Sequence, residues 1–133
     1  MQDKNEYRRR NEKFLTLKAQ DEGIKQLCDG VFYEVLATGK GRGGVTARSV
    51  VVCHYRGELM NGKVFDDSWS RECPEAFRVS DLIEGFQTAL CDMRIGDRRR
   101  IYISWQKGYG KRSIENIPGY SSLIFEVELI NIA

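Results

Sequence analysis

Residues 50–66, VVVCHYRGELMNGKVFD, decide the fold of this chain. The apolar run Val50 to Tyr55 is followed by Asn61-Gly62 and then by the apolar pair Val64-Phe65. Asn-Gly between two apolar runs predicts a β-hairpin, because both residues tolerate the positive φ that such a turn needs. The two strands of this hairpin would bring Tyr55 and Phe65 close together.

The composition is that of one folded domain with a short appendage. The chain has 133 residues, of which 41% are hydrophobic and 30% charged, and its net charge is only +2. Global disorder and a transmembrane span are both disfavoured by these values. The basic triplets Arg8–Arg10 and Arg98–Arg100 have acidic neighbours, so we predict solvated faces there rather than a nucleic-acid surface.

The cysteines and the single histidine exclude several kinds of site. The four cysteines form no CxxC pair, so we predict structural thiols, with Cys53 buried on a strand face and no disulfide required. His54 is next to Cys53 and would point to the opposite face of the strand, so the two cannot bind one ion. With one histidine, a histidine-based catalytic triad is excluded. No metal or cofactor is expected.

The amino-terminal segment predicts a helical extension. It lacks the apolar core of a secretory signal, so a cytoplasmic location is expected, with the periplasm or cell envelope as the alternative if a signal has been removed. From about Lys4 to Leu27 the composition favours helix, but the apolar stripe is broken. We predict an extension over residues 1–29, packed on the domain or on a partner, and a domain over residues 30–133.

Glycines at Gly39, Gly41 and Gly44 match the pattern GxGxxG. A dinucleotide site would need this pattern to open a helix, whereas here it leads into a strand-like run from Thr46 to Val52. A flexible hairpin loop is therefore predicted.

One amphipathic helix follows the hairpin. Ser80-Asp81 and Glu84 have the spacing of a capping box. Gly85 within the helix indicates a close approach to a neighbouring element. Apolar residues then recur at helical spacing: Leu82, Phe86, Ala89, Leu90 and Met93.

Alternating strands flank this helix. They are predicted at Val31 to Leu36, around Ala76 to Val79, at Arg98 to Trp105 and at Leu123 to Ile132. The connection from Gln106 to Ser122 is long, and loops of that length are usually functional. The pattern predicts an α+β domain in which about five antiparallel strands form a curved sheet around one short helix.

Four blocks resemble a known family. They are VVVCHYRGEL with NGKVFD, DLIEGFQTAL, GYG, and IPGYSSLIFEVELINI. They occur in the order found in the FKBP-type peptidyl-prolyl cis-trans isomerases, and the sequence resembles the bacterial members of that family. The resemblance runs from about Val31 to Ile132. It implies a substrate proline ring held between sheet and helix. The positions that it implies as catalytic are Tyr55, Phe65, Asp66, Tyr109 and Phe125, and those that it implies as substrate-binding are Phe77, Leu82, Ile83, Phe86 and Ile117.

Asp66 has two interpretations. The resemblance implies that its carboxylate lies against the twisted amide, orients Tyr55 and transfers no proton; as a residue at a strand end, it could instead serve as a turn or cap residue. The resemblance also implies that the Ile83 N–H and the Tyr109 hydroxyl each bind a substrate carbonyl.

Several positions depart from the family pattern and leave alternatives open. Phe86 replaces the usual tryptophan floor, and Trp105 replaces a common proline, which puts affinity for macrolides of the tacrolimus or rapamycin class in doubt. The implied activity is rotamase catalysis that assists protein folding on proline-containing polypeptides. The alternatives are a non-catalytic module that binds proline segments, or a chaperone, as a monomer or as a dimer through the extension.

Overall fold

The computed structural model describes residues 3–133, which form one antiparallel sheet of seven strands with a helix on each face. The α+β class, the antiparallel sheet and the two helices predicted from the sequence are confirmed, but the sheet has seven strands instead of about five. In chain order the elements are α1 (Lys4–Lys18), β1 (Lys25–Cys28), β2 (Val31–Ala37), β3 (Val50–Leu59), β4 (Val64–Asp67), β5 (Glu75–Arg78), α2 (Glu84–Cys91), β6 (Arg98–Ile103) and β7 (Leu123–Ile132).

The sheet has the strand order β1-β2-β6-β7-β3-β4, and β5 also pairs with β3. The predicted hairpin is confirmed as β3 and β4, with Gly62 at a φ of 88° in the turn between them. Gly57 in β3 lies opposite Asp66 of β4 and also opposite Phe125 of β7. This register brings residues from three strands to one place on the inner face of the sheet.

Helix α2 packs on the inner face of the sheet. Val51, Cys53 and Tyr55 point into this core, as the alternation in β3 predicts. Gly85 allows the close approach that we expected, because a Cβ atom there would lie 2.6 Å from Cγ2 of Ile103.

The predicted capping box at the start of α2 is wrong. The residue that caps α2 is Ile83, and no side chain completes the cap. Ser80 and Asp81 lie one turn earlier, in the 3-10 helix Val79–Asp81. Leu82 and Ile83 are extended between the two helices, with ψ of 163° and 152°.

Helix α1 packs on the outer face of the sheet, where Leu15 contacts a cluster with Tyr102 and Ile124. The helix ends at Lys18, not near Leu27. The chain then turns at Gly23, where φ is 85°, and enters β1, which pairs with β2. The extension was predicted to pack on the domain or on a partner, and α1 packs on the sheet of its own chain. The division at Gly30 stays a prediction, and β1 lies on its amino-terminal side.

The glycine pattern lies in a loop, as predicted, because residues 38–49 contain no helix and lead into β3. The prediction that this loop closes a hairpin is wrong, because β2 and β3 are not neighbours in the sheet. The prediction of a solvated basic face holds for Arg98 and Arg100, which form ion pairs with Glu126 on the outer face of the sheet. It is wrong for Arg99, whose side chain is only 11% exposed and lies over the ring of Tyr33.

All four cysteines are free thiols. The prediction of a structural thiol holds for Cys53, which is fully buried, and burial raises the pKa of its thiol to about 12. Cys73 and Cys91 are exposed. Between residues 3 and 133 no helix has the length and apolar character needed to cross a membrane.

Candidate active site

A cavity of about 160 Å³ opens between the inner face of the sheet and the start of α2. Asp81 is part of its lining, a position that the sequence did not indicate. Nine of the ten predicted site residues line this cavity: Tyr55, Phe65, Asp66, Phe77, Leu82, Ile83, Phe86, Tyr109 and Phe125.

One wall of the cavity depends on the absence of a side chain at Gly57. Phe65 and Phe125 meet edge to face, with ring centroids 5.6 Å apart and an interplanar angle of 90°. Both rings lie over Gly57, where a Cβ atom would come within 2.6 Å of Phe65 and 2.8 Å of Phe125. Glycine at this position therefore lets both rings pack against the sheet and form one apolar wall of the cavity.

The floor is aromatic as well. Phe86 is buried and lies 4.8 Å from Phe125 and 6.4 Å from Tyr55, measured between ring centroids. Phe77 packs edge-on against Tyr55 at 5.4 Å. Such pairs keep the rings in fixed orientations and exclude water from the space above them. The site thus offers an apolar surface of the size of a small ring.

The rim carries a connected polar network. The Tyr55 hydroxyl donates a hydrogen bond to Oδ2 of Asp66, and Arg71 donates to the other carboxylate oxygen at 2.7 Å. Arg71 also reaches Glu75 at 3.3 Å. Asp66 therefore has both oxygens occupied and is held in one orientation at the edge of the cavity.

These contacts change the acid–base behaviour of the network. Burial, and secondarily the hydrogen bond to Asp66, raises the pKa of Tyr55 to about 12. Burial alone would raise the pKa of Asp66, but the hydrogen bonds from Tyr55 and Arg71 outweigh it and hold that pKa below its usual value. At neutral pH the tyrosine is a neutral donor and the aspartate is an anion. Neither group is poised to exchange a proton near pH 7.

A buried serine fixes Tyr55 from behind. The backbone N–H of Tyr55 donates to Oγ of Ser68 at 2.8 Å, and the Ser68 N–H donates back to the Tyr55 carbonyl at 2.9 Å. The Ser68 hydroxyl also meets Nδ1 of His54 at 2.8 Å, and the His54 ring stacks on Trp69. The only histidine of the chain therefore supports the strand and lies outside the cavity lining.

The sequence indicated neither Arg71 nor Ser68. Both lie in the segment DSWSREC, which has no periodicity, and their contacts arise because this segment folds back on β3. The available signal was indirect: Asp67 and Ser70 are frequent turn residues, and here Asp67 accepts from the backbone N–H of Trp69 at 3.0 Å. A turn could have been predicted at that point, but not the residue that would meet Asp66.

Two hydrogen-bond donors beside the cavity are unused. In the part of the chain that the structure describes, neither the Ile83 backbone N–H nor the Tyr109 hydroxyl donates a hydrogen bond. Burial raises the pKa of Tyr109, and the negative charges of Asp66 and Glu115 add to the effect, so the hydroxyl stays protonated. Both groups are available to a carbonyl oxygen bound in the cavity.

The tenth predicted residue, Ile117, lies in a neighbouring cavity of about 190 Å³. The two cavities share Phe65, Asp66 and Tyr109, and residues 114–117 complete the second one. Ile117 was predicted to complete the wall of the same pocket, but it does not line the aromatic cavity, and its role in binding substrate stays a prediction.

The loop that carries Tyr109 is anchored to α1. The buried side chain of Asn11 accepts from the Ser122 N–H at 2.7 Å, and the indole N–H of Trp105 donates to Glu12 at 3.0 Å. That indole hydrogen bond is the main cause that lowers the pKa of Glu12. Each end of the loop is therefore held by a residue of the amino-terminal helix.

Comparisons with known proteins agree with this geometry. A family model described as FKBP-type peptidyl-prolyl cis-trans isomerase matches residues 42–130. FKBP-type peptidyl-prolyl cis-trans isomerase FkpA of Escherichia coli is 36% identical over 114 residues, which cover 86% of this chain and 42% of FkpA. Peptidyl-prolyl cis-trans isomerase Mip of Coxiella burnetii is 38% identical over 120 residues, which cover 90% of this chain and 52% of Mip. The chain spans about half the length of these curated relatives.

Solved structures show the same fold. The crystal structure of FkpA from Escherichia coli aligns with a TM-score of 0.90 at 30% identity and covers 96% of this chain and 60% of that one. A peptidyl-prolyl cis-trans isomerase from Pseudomonas syringae aligns with a TM-score of 0.91 at 29% identity, covering 100% of this chain and 98% of that one. The bacterial look of the sequence agrees with these relatives.

Proposed function

This chain belongs to the family of FKBP-type peptidyl-prolyl cis-trans isomerases, and on that premise we propose that it accelerates rotation about X-Pro bonds in polypeptides. The observation that carries this proposal is the aromatic cavity with the ordered Tyr55–Asp66–Arg71 network at its rim. A proline ring fits the apolar wall and floor that Phe65, Phe86 and Phe125 provide.

The reaction needs no acid, base or nucleophile. Amide resonance sets a barrier of about 18 to 20 kcal/mol to rotation, and the unaided reaction takes tens of seconds or more. At the twisted transition state the amide loses resonance and part of its dipole, so a water-poor cavity favours it over the planar ground state. Lowering the barrier by about 5.5 kcal/mol would accelerate the reaction roughly 10⁴-fold.

Each predicted site residue then has a role. The rings hold the proline while the polypeptide on the other side of the bond rotates. Asp66 lies beside the twisted amide and shapes the electric field there without transferring a proton, which agrees with its lowered pKa. The unused donors at Ile83 and Tyr109 would bind the two carbonyls that flank the proline nitrogen, and these contacts would fix the register of the substrate.

The size of Phe86 at the floor of the cavity affects the binding of macrolides. Phe86 is smaller than the tryptophan that the family pattern has and offers no indole N–H. We therefore expect tacrolimus to compete with peptide substrates for the cavity, but to bind better when Phe86 is replaced by Trp. Isothermal titration calorimetry of the parent chain and of Phe86→Trp with tacrolimus measures this difference. Equal or weaker binding by the variant would show that Phe86 does not limit the affinity for the macrolide.

A peptide assay tests the activity. Exchange between cis and trans forms of Ala-Leu-Pro-Phe, followed by NMR exchange spectroscopy, should accelerate on addition of the chain. Tyr55→Phe and Asp66→Ala should reduce the acceleration. Asp29→Ala is the matched control, because Asp29 is exposed and lies outside the cavity lining. Binding of the peptide without acceleration would support the alternative of a non-catalytic proline-binding module.

The chaperone and dimer alternatives depend on α1. Its apolar residues Phe14 and Leu15 are packed against the sheet of the same chain, which favours a monomer, although Leu17 is exposed. Sedimentation of the full chain at increasing concentration tests this inference, and a concentration-dependent dimer would overturn it. The compartment stays a prediction, with the cytoplasm and the cell envelope as the two alternatives.

A further inference from the structure

The second cavity has a composition different from the first. Its shared wall is formed by Phe65, Asp66 and Tyr109, whereas the remainder is the short turn 114–117. Ile114 and Ile117 pair with each other through two backbone hydrogen bonds, at 2.9 and 2.8 Å, and hold Glu115 and Asn116 at the tip of the turn. The cavity therefore has aliphatic and aromatic sides and a polar end.

Only one carboxylate in this cavity lacks an ion-pair partner among the residues that the structure describes. Asp66 pairs with Arg71, which also pairs with Glu75. Glu115 forms no ion pair among the residues that the structure describes, and its charge contributes to the raised pKa of Tyr109. Lys111 and Arg112 belong to the same loop but line no part of this cavity. A side chain that enters it meets a negative end.

The backbone at Glu115 is unusual. Its φ is 49°, in the left-handed region that non-glycine residues other than Asn and Asp seldom adopt. Such conformations carry a cost in free energy and are found where the surrounding structure enforces them, often at functional sites. Here the residue with this conformation is Glu115, which lines the second cavity.

We propose that the second cavity binds the side chain of the residue before the substrate proline and selects lysine or arginine there. This inference rests on the proposed function, in which the twisted amide lies beside Asp66. The carbonyl of that amide belongs to the residue before proline, whose side chain is on the adjacent Cα atom. Asp66 lines both cavities, whereas Ile83 lines only the first. The methylene stem of a lysine would lie on Ile114 and Ile117 while its ammonium group reaches Glu115, the usual division of such a side chain between apolar and polar surroundings.

A panel of Ala-X-Pro-Phe peptides with X as lysine, arginine, methionine or glutamate tests the proposal. NMR exchange spectroscopy gives kcat/KM for each peptide with the parent chain, Glu115→Gln and Glu115→Lys, and every value is divided by that variant's own value for methionine. For an exposed ion pair we expect the lysine-to-glutamate ratio to fall about two- to fivefold in Glu115→Gln and further in Glu115→Lys. Added salt should reduce the ratio of the parent chain.

Glu22→Gln is the matched control, because Glu22 is exposed in the turn after α1 and should leave every ratio unchanged. A lysine-to-glutamate ratio that is the same in the parent chain and in Glu115→Lys would overturn the proposal. Failure of the proposed function is distinguishable from this result, because the parent chain would then accelerate none of the peptides. In that event the chemical shifts of the Glu115 and Ile114 amides, titrated with the lysine and glutamate peptides, still test the site: larger shifts and tighter binding with lysine support it, and equal binding overturns it.

Discussion

The fully buried side chain of Asn11 accepts a 2.7 Å hydrogen bond from the backbone N–H of Ser122, 111 residues further along the chain. The side-chain amide nitrogen of Asn11 donates to the Tyr7 carbonyl at 2.8 Å, and the backbone carbonyl of Asn11 accepts from the Ser122 hydroxyl at 3.1 Å. The amino-terminal helix is thereby joined to the residue that precedes β7, at the end of the loop that carries Tyr109.

Asn11→Ala should destabilise the chain by about 1 to 3 kcal/mol, since it leaves the buried Ser122 N–H without an acceptor. Urea unfolding monitored by tryptophan fluorescence measures the change. Asn5→Ala is the control on the same helix, where the side chain is exposed, and should change stability by no more than about 0.5 kcal/mol. Equal changes in the unfolding free energy for the two substitutions would show that the buried hydrogen bonds of Asn11 do not stabilise the chain.

Gly57→Ala should damage both stability and activity. The added Cβ would overlap Phe65 and Phe125, so the rings must move into the cavity, at a cost of about 1 to 3 kcal/mol. We expect kcat/KM toward Ala-Leu-Pro-Phe to fall about tenfold or more, which corresponds to about 1.4 kcal/mol of transition-state stabilisation. Arg56→Ala, at the exposed neighbouring position, should leave kcat/KM unchanged. Full activity in Gly57→Ala would mean that the wall is not needed in its present position.

Asp66→Ala should lower kcat/KM about tenfold, because a charge-assisted hydrogen bond contributes on the order of 1.5 to 3 kcal/mol and orients the Tyr55 ring. Tyr55→Phe, which removes the hydroxyl and keeps the ring, should show part of the same loss. Steady-state exchange rates at several peptide concentrations separate kcat from KM. An unchanged kcat/KM in Asp66→Ala would remove this carboxylate from the mechanism and leave it as a turn residue.

The lowered pKa of Asp66 predicts an acid-dependent contribution to stability. A carboxyl group whose pKa is lower in the folded than in the unfolded chain stabilises the fold above its unfolded value, about 3.9, and loses that contribution as the pH falls through the folded value. The difference in unfolding free energy between the parent chain and Asp66→Asn should therefore be constant near neutral pH and shrink below about pH 4. Comparing the two proteins cancels the similar shift at Glu126. A difference that does not vary with pH would contradict the assignment.

The fold was predictable to the extent that it depends on local patterns. Asn61-Gly62 specifies a turn, and the alternation in β3 and β7 identifies the inner face, so the hairpin could be predicted from local patterns, whereas the cavity residues were implied by the resemblance to the family. The end of α1 could not, because the helical composition continues past Lys18 and the change to strand depends on the free edge of β2, which is a partner distant in sequence. The capping box fails because Ser80 and Asp81 belong to the separate 3-10 helix Val79–Asp81, and Leu82 and Ile83 are extended before α2 begins.

The polar part of the candidate site shows a second limit of the sequence. Asp66 could be proposed from its block, but Arg71 lies in a segment without periodicity, and its contact arises only once Ser68 pairs with Tyr55. Ile117 was predicted to join the aromatic residues and adjoins them from a separate cavity, since the turn 114–117 closes on itself. Side-chain chemistry that depends on how an irregular loop folds leaves no periodic trace in the sequence.

The strand order has a consequence for synthesis on the ribosome. Residues 123–132 form the strand that lies between β6 and β3, so the two halves of the sheet have no common neighbour until these residues leave the exit tunnel. Long-range pairing of this kind delays folding until both partners are available, and unpaired strand edges expose the chain to aggregation. A nascent chain that has already made every residue of the aromatic cavity except Phe125 would still be unable to assemble it. Until residues 123–132 are available, the edges of β6 and β3 that they cover stay unpaired.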